Sequence, residues 1–134
     1  MSGDDSEVLL TELLKISQKE LDCINETCRF TKEMAEAFSR NDQKSARMLT
    51  GMRGASLGEL EKLRLQRKML LEAAGDARER METLLRGQSV PDKNDREERL
   101  RRLSESFKSS LEKTCALDRQ VSRRVAQDKS FYSE

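Results

Sequence analysis

The feature that most constrains this chain is a stripe of apolar and small residues spaced alternately four and three apart. Within residues 6–38, which contain neither Gly nor Pro, the members of the stripe are Leu10, Leu14, Ser17, Leu21, Ile24, Cys28, Thr31, Ala35 and Phe38. This spacing places all of them on one side of an α-helix and is the spacing of coiled coils. A second apolar stripe runs beside it, so the segment predicts a long helix that contacts two neighbours.

The same spacing returns over residues 41–86, after a short polar break at 39–42. So short a break predicts two antiparallel neighbouring helices. Three glycines, Gly51, Gly54 and Gly58, fall where the spacing has an extra step of four, and each weakens a helix by about 1 kcal/mol relative to Ala. Two interpretations stay open: the helix bends or breaks there, or the bare backbone lets a neighbour approach closely. We favour a weakened but continuous helix.

A linker at residues 87–94 separates this helix from a third one, predicted over 95–128 and followed by a tail at 129–134. Asn94 followed by Glu97 has the spacing of a capping box at the start of the third helix. The sequence therefore predicts an all-α fold: an elongated antiparallel helical hairpin with a third long helix, packed in the manner of a coiled coil.

Composition narrows what this single predicted domain, residues 1–134, can do. The chain has no His, which excludes Ser-His-Asp and Cys-His catalysis and any metal site that uses His. Its 26 Lys and Arg nearly balance its 25 Asp and Glu, which argues against a dedicated nucleic-acid binder. We expect no catalytic residue, no metal and no cofactor, and therefore a protein that is not an enzyme.

Location and oligomeric state are constrained less tightly. No apolar run approaches the roughly 20 residues that span a bilayer, and the start at residues 1–5 is acidic, unlike a signal peptide. Three cysteines without an export signal fit reduced thiols, so we expect a cytoplasmic protein without membrane insertion. The thin core leaves both a monomer and a homodimer open.

Two charged residues have different predicted positions. Glu20, among alternating Lys and Glu, is predicted on a solvated face, whereas Arg67 falls within the apolar stripe.

Two stretches carry a resemblance to a known family. The first is the polar turn Phe38-Ser-Arg-Asn-Asp42, and the second is Leu-Gly-Glu-Leu-Glu-Lys-Leu-Arg-Leu-Gln-Arg-Lys-Met-Leu-Leu at 57–71. Together with the long leucine-rich helix before them, they make residues 6–86 similar to the FlgN-type flagellar export chaperones. That family consists of small cytoplasmic helical proteins with a long antiparallel hairpin and a third helix.

The resemblance implies a cytoplasmic type III export chaperone. Such proteins bind helical terminal segments of hook–filament junction subunits, prevent their premature assembly and deliver them to the export gate. We expect the client to bind along the third helix, at Leu103, Phe107, Leu111, Leu117, Val121 and Val125. The resemblance assigns docking on the export gate to the C-terminal aromatics, Phe131 and Tyr132. The alternatives are a structural coiled-coil adaptor that dimerises without a client, and a FliT-like chaperone for the filament cap.

Overall fold

Four α-helices and one short 3-10 turn make up the chain in the computed structural model, which describes the backbone of residues 3–132 and the side chains of residues 5–125. The helices are α1 (Gly3–Ser39), α2 (Gln43–Glu72), α3 (Arg78–Leu85) and α4 (Asp95–Tyr132). The predicted all-α class is confirmed, and the described residues contain no strand. The first helix begins three residues before its predicted start at residue 6.

The turn between α1 and α2 is short because each of its residues closes or opens a helix. Asn41 adopts a left-handed backbone conformation, with φ of 57°, which Asn tolerates better than most residues. The Asp42 amide then donates to the Ala37 carbonyl at 2.9 Å and closes α1. The Asp42 side chain in turn accepts a hydrogen bond from the Ser45 amide at 3.1 Å and caps α2.

The prediction of one helix over residues 41–86 is wrong at its C-terminal part. The helix is continuous through the three glycines, as favoured above, but α2 ends at Glu72. A 3-10 turn at Gly75–Ala77 leads into the separate helix α3. The break follows from Gly75, whose φ of +60° lies in the left-handed region that interrupts a right-handed helix.

The second connection follows the sequence pattern more closely. Gly87, with φ of +80°, ends α3, and the predicted capping box is present at the start of α4. The Glu97 amide donates to Asn94 Oδ1 at 2.8 Å, and the Asn94 amide donates to Glu97 Oε1 at 3.1 Å. The helix runs to Tyr132, so the prediction of a tail beginning at residue 129 is wrong.

The first helix lies between α2 and α4 and packs against both. Contacts such as Glu20 with Arg67 and Met34 with Thr50 show that α2 runs antiparallel to α1. By contrast, α4 is parallel to α1. Three side-chain hydrogen bonds between these helices all join residues 85 apart, from Thr11 with Arg96 at one end to Ser39 with Arg124 at the other, with Asn25 and Ser110 between.

Apolar packing is concentrated towards the two ends of α1, with a smaller patch between α1 and α2. The first cluster joins α1, α3 and α4 and contains Leu10, Leu13, Leu14, Met81, Leu84 and Leu100. The second joins the end of α1 to α2 and α4 and contains Phe30, Met34, Ala37, Ala46, Leu49 and Val121. The smaller patch consists of Ile16, Cys23 and Leu63. These clusters use the inner side of α2 and leave its other side to solvent.

Candidate functional site

Most of the large apolar side chains that remain exposed lie on one helix. In the described part of the chain, the exposed large apolar residues are Val8, Met48, Met52, Leu57, Leu65, Met69 and Leu111. Five of these seven belong to α2, although the buried residues of the same helix are only Ala46, Leu49, Ser56 and Leu63. A helix that has already buried one side therefore presents a second apolar side to solvent, and such a surface is typical of a binding site.

The exposed side of α2 has a regular spacing of its own. The stripe that alternates three and four residues apart, here called the outer stripe, is Met48, Gly51, Ala55, Gly58, Lys62, Leu65 and Met69, all of them exposed. Met52 and Leu57 flank it. This is the spacing by which one helix packs along another. The outer stripe lies away from α1, so no helix of the described chain covers it.

The glycines of α2 fit a neighbour that the chain itself does not supply. An added Cβ at Gly51, Gly54 or Gly58 would meet no atom within 4 Å. Close packing against α1 or α4 therefore does not explain why these three residues are glycines. Of the two interpretations given above, α2 has no break at the glycines, and the chain contributes no close neighbour among its described residues.

The rim of the outer stripe is basic. Lys44, Arg47 and Lys68 beside the stripe, and Lys62 within it, are exposed, and none of them has an ion-pair partner among the described residues. The other charges of α2 are differently placed: Arg53 bonds to Asp118 of α4 and Arg67 bonds to Glu20 of α1. Positive charge without an internal partner therefore predominates on this side of α2, where the exposed acids Glu59 and Glu72 are fewer.

The client-binding residues predicted on α4 do not form one exposed surface. Val121 is buried in the second cluster with Val125 half-buried beside it, and Leu103 packs against the first cluster at the other end of α4. Phe107 and Leu117 are half-buried, and Leu111 is 38% exposed. Of the set, Val121 and Val125 come together, and the others are distributed along the helix. Phe131 and Tyr132 fall in the last helical turn, and their side chains lie outside the described residues.

Between the helices lies a buried ion pair that the sequence pattern did not predict. Glu20 was expected on a solvated face, but this prediction is wrong, because its side chain is 3% exposed and packs against α2. Arg67 Nη1 donates to both carboxylate oxygens, at 3.0 Å and 2.9 Å. Burial raises the pKa of Glu20, and the positive charge and hydrogen bonds of Arg67 only partly offset that rise. The pair explains why an Arg occupies the apolar stripe of α2.

A buried polar contact adjoins the glycines on the inner side of α2. The hydroxyls of Thr27 and Ser56 are 2.7 Å apart, and the Cys23 thiol donates to the Ser56 carbonyl at 3.0 Å. All three cysteines are free thiols. These polar groups bond to one another and therefore stabilise the α1–α2 interface.

Besides the outer stripe, the described residues form a cleft at one end of the helices. A cleft of about 410 Å³ opens between the ends of α1 and α4 and the start of α2, lined by Met34, Phe38, Val121, Val125 and the Arg53–Asp118 pair. Within the described residues, no group of three or more acidic or cysteine side chains is placed to hold a metal ion. In the same part of the chain, no helix has an apolar stretch long enough to cross a bilayer.

Comparison with known proteins adds no identity to this geometry. No family model, no curated protein and no solved structure matches the chain. The outer stripe of α2 and the residues beside it are therefore the features from which function is inferred.

Proposed function

We propose that this chain is a cytoplasmic FlgN-type flagellar export chaperone that binds a helical terminal segment of a hook–filament junction subunit. The client helix would lie along the outer stripe of α2. One observation supports this most: exposed apolar side chains, three of them Met, are concentrated on the free side of a helix whose other side is buried. Flexible, polarisable Met side chains suit a surface that must bind a helix and later release it.

The proposed mechanism is recognition of one helix by another. A client helix would cover its own apolar stripe against Met48, Leu65 and Met69, and thereby hide the side chains that drive assembly. The client surface predicted on α4 is less accessible in this arrangement, because Val121 and Leu103 already pack against α1 and its neighbours. Phe131 and Tyr132 keep their proposed role in docking on the export gate.

The outer stripe also supports a second candidate function. Its three-and-four spacing fits a second copy of the chain as well as a client, so a dimeric coiled-coil adaptor without a client is the alternative. A FliT-like chaperone for the filament cap would use the same surface with a different client.

The test is co-elution with light scattering. The purified chain would be mixed with terminal helical segments of hook–filament junction proteins and of the filament cap from the same genome. We expect a complex of defined mass with one junction segment. The double variant Leu65→Asp/Met69→Asp should abolish it and leave the chain folded, because both side chains are exposed in the free protein and the two changes cost only about 1 kcal/mol of helix propensity. Val8→Asp, at an exposed apolar position on α1, is the matched control and should keep the complex.

Other outcomes would redirect or reject the proposal. Loss of the complex in Leu117→Asp, with the α2 double variant unaffected, would move the client to α4. A complex with the filament-cap segment alone would favour the FliT-like function. No complex with any segment, together with an unchanging dimer, would favour the structural adaptor.

A further inference from the structure

The charges around the outer stripe point to the kind of helix that it takes. Across α2, seven Lys and Arg side chains stand against three Glu. Two of the seven cations, Arg53 and Arg67, bond to acids of α4 and α1. The exposed cations Lys44 and Arg47 lie beside one end of the outer stripe, and Lys68 lies beside the other.

We propose that the outer stripe selects an amphipathic helix whose apolar stripe is flanked by Asp and Glu near both of its ends. This inference rests on the proposed function, because it specifies the helix that the same surface binds. The client is thereby defined by its chemistry: acidic flanks, an apolar stripe with three-and-four spacing, and a length of about 32 Å to match Met48 to Met69.

The positions of two cations support selection of a partner helix with acidic flanks. Arg47 and Lys68 directly precede Met48 and Met69 of the outer stripe. In helices that pack with this spacing, the residues beside the apolar stripe contact the flanking residues of the partner and determine partner choice. Acidic side chains at these places in a partner would pair with them, and basic ones would be repelled.

The same charges argue against a second copy as the occupant. Two α2 helices packed on their outer stripes would each bring Lys44, Arg47, Lys62 and Lys68 to one interface. Of the three Glu of α2, Glu59 and Glu61 lie near the middle and Glu72 lies beyond Met69, and Glu61 already lies 4.0 Å from Arg64 of its own helix. Such juxtaposition of like charges disfavours self-association and leaves an acidic partner favoured.

The shape of the surface adds a second requirement. Met48 stands at one end and Leu65 and Met69 at the other, whereas the middle of the stripe is Gly51, Ala55 and Gly58 with open space above the glycines. Large apolar side chains of a partner therefore fit over the middle, and smaller ones fit against the ends. A lipid surface offers no such pattern of large and small side chains.

Fluorescence anisotropy with designed peptides tests the inference directly. Two labelled 22-residue helices would share one apolar stripe, with large residues at the centre, and would carry either Glu or Lys at the flanking positions. At low ionic strength we expect the Glu peptide to bind about tenfold more tightly than the Lys peptide, the size expected of a few solvent-exposed ion pairs. The difference should shrink in high salt because the charges are exposed.

Charge reversal on the protein provides the second arm. The triple variant Arg47→Glu/Lys62→Glu/Lys68→Glu should reverse the preference, so that the Lys peptide binds more tightly. The matched control, Lys108→Glu/Lys113→Glu/Arg119→Glu, makes the same change in net charge at exposed positions of α4 and should keep the preference for the Glu peptide.

The outcomes separate this inference from the proposed function. Equal binding of both peptides, lost in Leu65→Asp/Met69→Asp, would overturn the charge selection and leave helix binding intact. Equal loss of preference in both triple variants would show a net-charge effect and would also overturn it. Binding of neither peptide, or binding of vesicles of phosphatidylserine and phosphatidylcholine in their place, would reject the outer stripe as a helix site.

Discussion

Removing Arg67 should leave the buried Glu20 carboxylate without the guanidinium that donates to both of its oxygens. In Arg67→Met, the methionine keeps much of the apolar stem but neither hydrogen bond to the carboxylate, whose side chain is 3% exposed. Breaking a buried ion pair in this way typically costs about 3–5 kcal/mol. The loss of stability has an upper limit here, because Glu20 can become neutral by taking up a proton. From its ordinary pKa of 4.5, neutralising a carboxylate at pH 7 costs about 3.4 kcal/mol.

This upper limit makes the loss of stability in Arg67→Met depend on pH. At pH 5 the same neutralisation costs only about 0.7 kcal/mol. Burial raises the pKa of Glu20 in the folded state, so the folded protein binds the proton more tightly than the unfolded chain does. The contribution of Glu20 to stability therefore becomes more favourable as the pH falls. Because the raised pKa of Glu20 in the wild type already includes part of this cost, we expect Arg67→Met to lose less than about 3 kcal/mol at pH 7 and less than about 1 kcal/mol at pH 5, each relative to wild type.

Urea denaturation followed by circular dichroism at both pH values measures this directly. The double variant Glu20→Gln/Arg67→Met removes both charges and should recover most of the loss at pH 7, with no dependence on pH from this site. An equal loss at pH 7 and pH 5 would contradict the reasoning, since a cost from lost packing does not titrate. A loss below about 1 kcal/mol at pH 7 would show that water reaches the carboxylate.

Four further predictions concern two glycines, the cap of α4 and the loss of stability in acid. Gly58→Ala should raise stability by about 1 kcal/mol in thermal denaturation, because the site is helical and open. The same change should weaken client binding, because the new methyl group lies on the outer stripe. A variant that is more stable and also binds the client more tightly would count against the outer stripe. Gly75→Ala should instead lower the unfolding midpoint by the equivalent of about 1 kcal/mol, since φ is +60° there, and an unchanged midpoint would show that the turn can relax. Asn94→Ala should cost about 1 kcal/mol through loss of the cap of α4, measured by urea denaturation, unless water replaces the amide oxygen. The hydrogen bond from Arg80 lowers the pKa of Glu97 below 4.5, so its stabilisation is present above that pH and is lost as the pH falls; Arg80→Met should flatten the decline in stability between pH 5.5 and 3.5, and an unchanged slope would refute this assignment.

Local features of the fold could be predicted from the sequence because their causes are local. The uninterrupted stripe of α1 predicts a long helix, and Asn94 with Glu97 predicts a cap that the structure contains. The break at Gly75 was missed because the three-and-four spacing continues across it through Ala74 and Ala77. Small residues fit that spacing whether or not they pack in a helix.

The candidate site could not be predicted for a different reason. The sequence of α2 contains two stripes with nearly the same spacing, one starting at Leu49 and one at Met48. Periodicity identifies both and does not say which one faces α1. Even Met52, which belongs to the stripe that starts at Leu49, is 42% exposed. Likewise Glu20 has its partner 47 residues away, so its burial is decided by the packing of α1 against α2.

The methionine methyl groups offer the most direct measurement of the central claim, that a client helix binds the outer stripe of α2. Met48, Met52 and Met69 are 61%, 42% and 68% exposed, whereas Met34 and Met81 are each 4% exposed and lie in the second and first clusters. In protein labelled with ¹³C at the Met methyl groups, addition of the binding segment should shift the signals of the three exposed methionines and leave the two buried ones in place. Shifts confined to Met34, which packs in the cluster that contains Val121 of α4, would contradict the account.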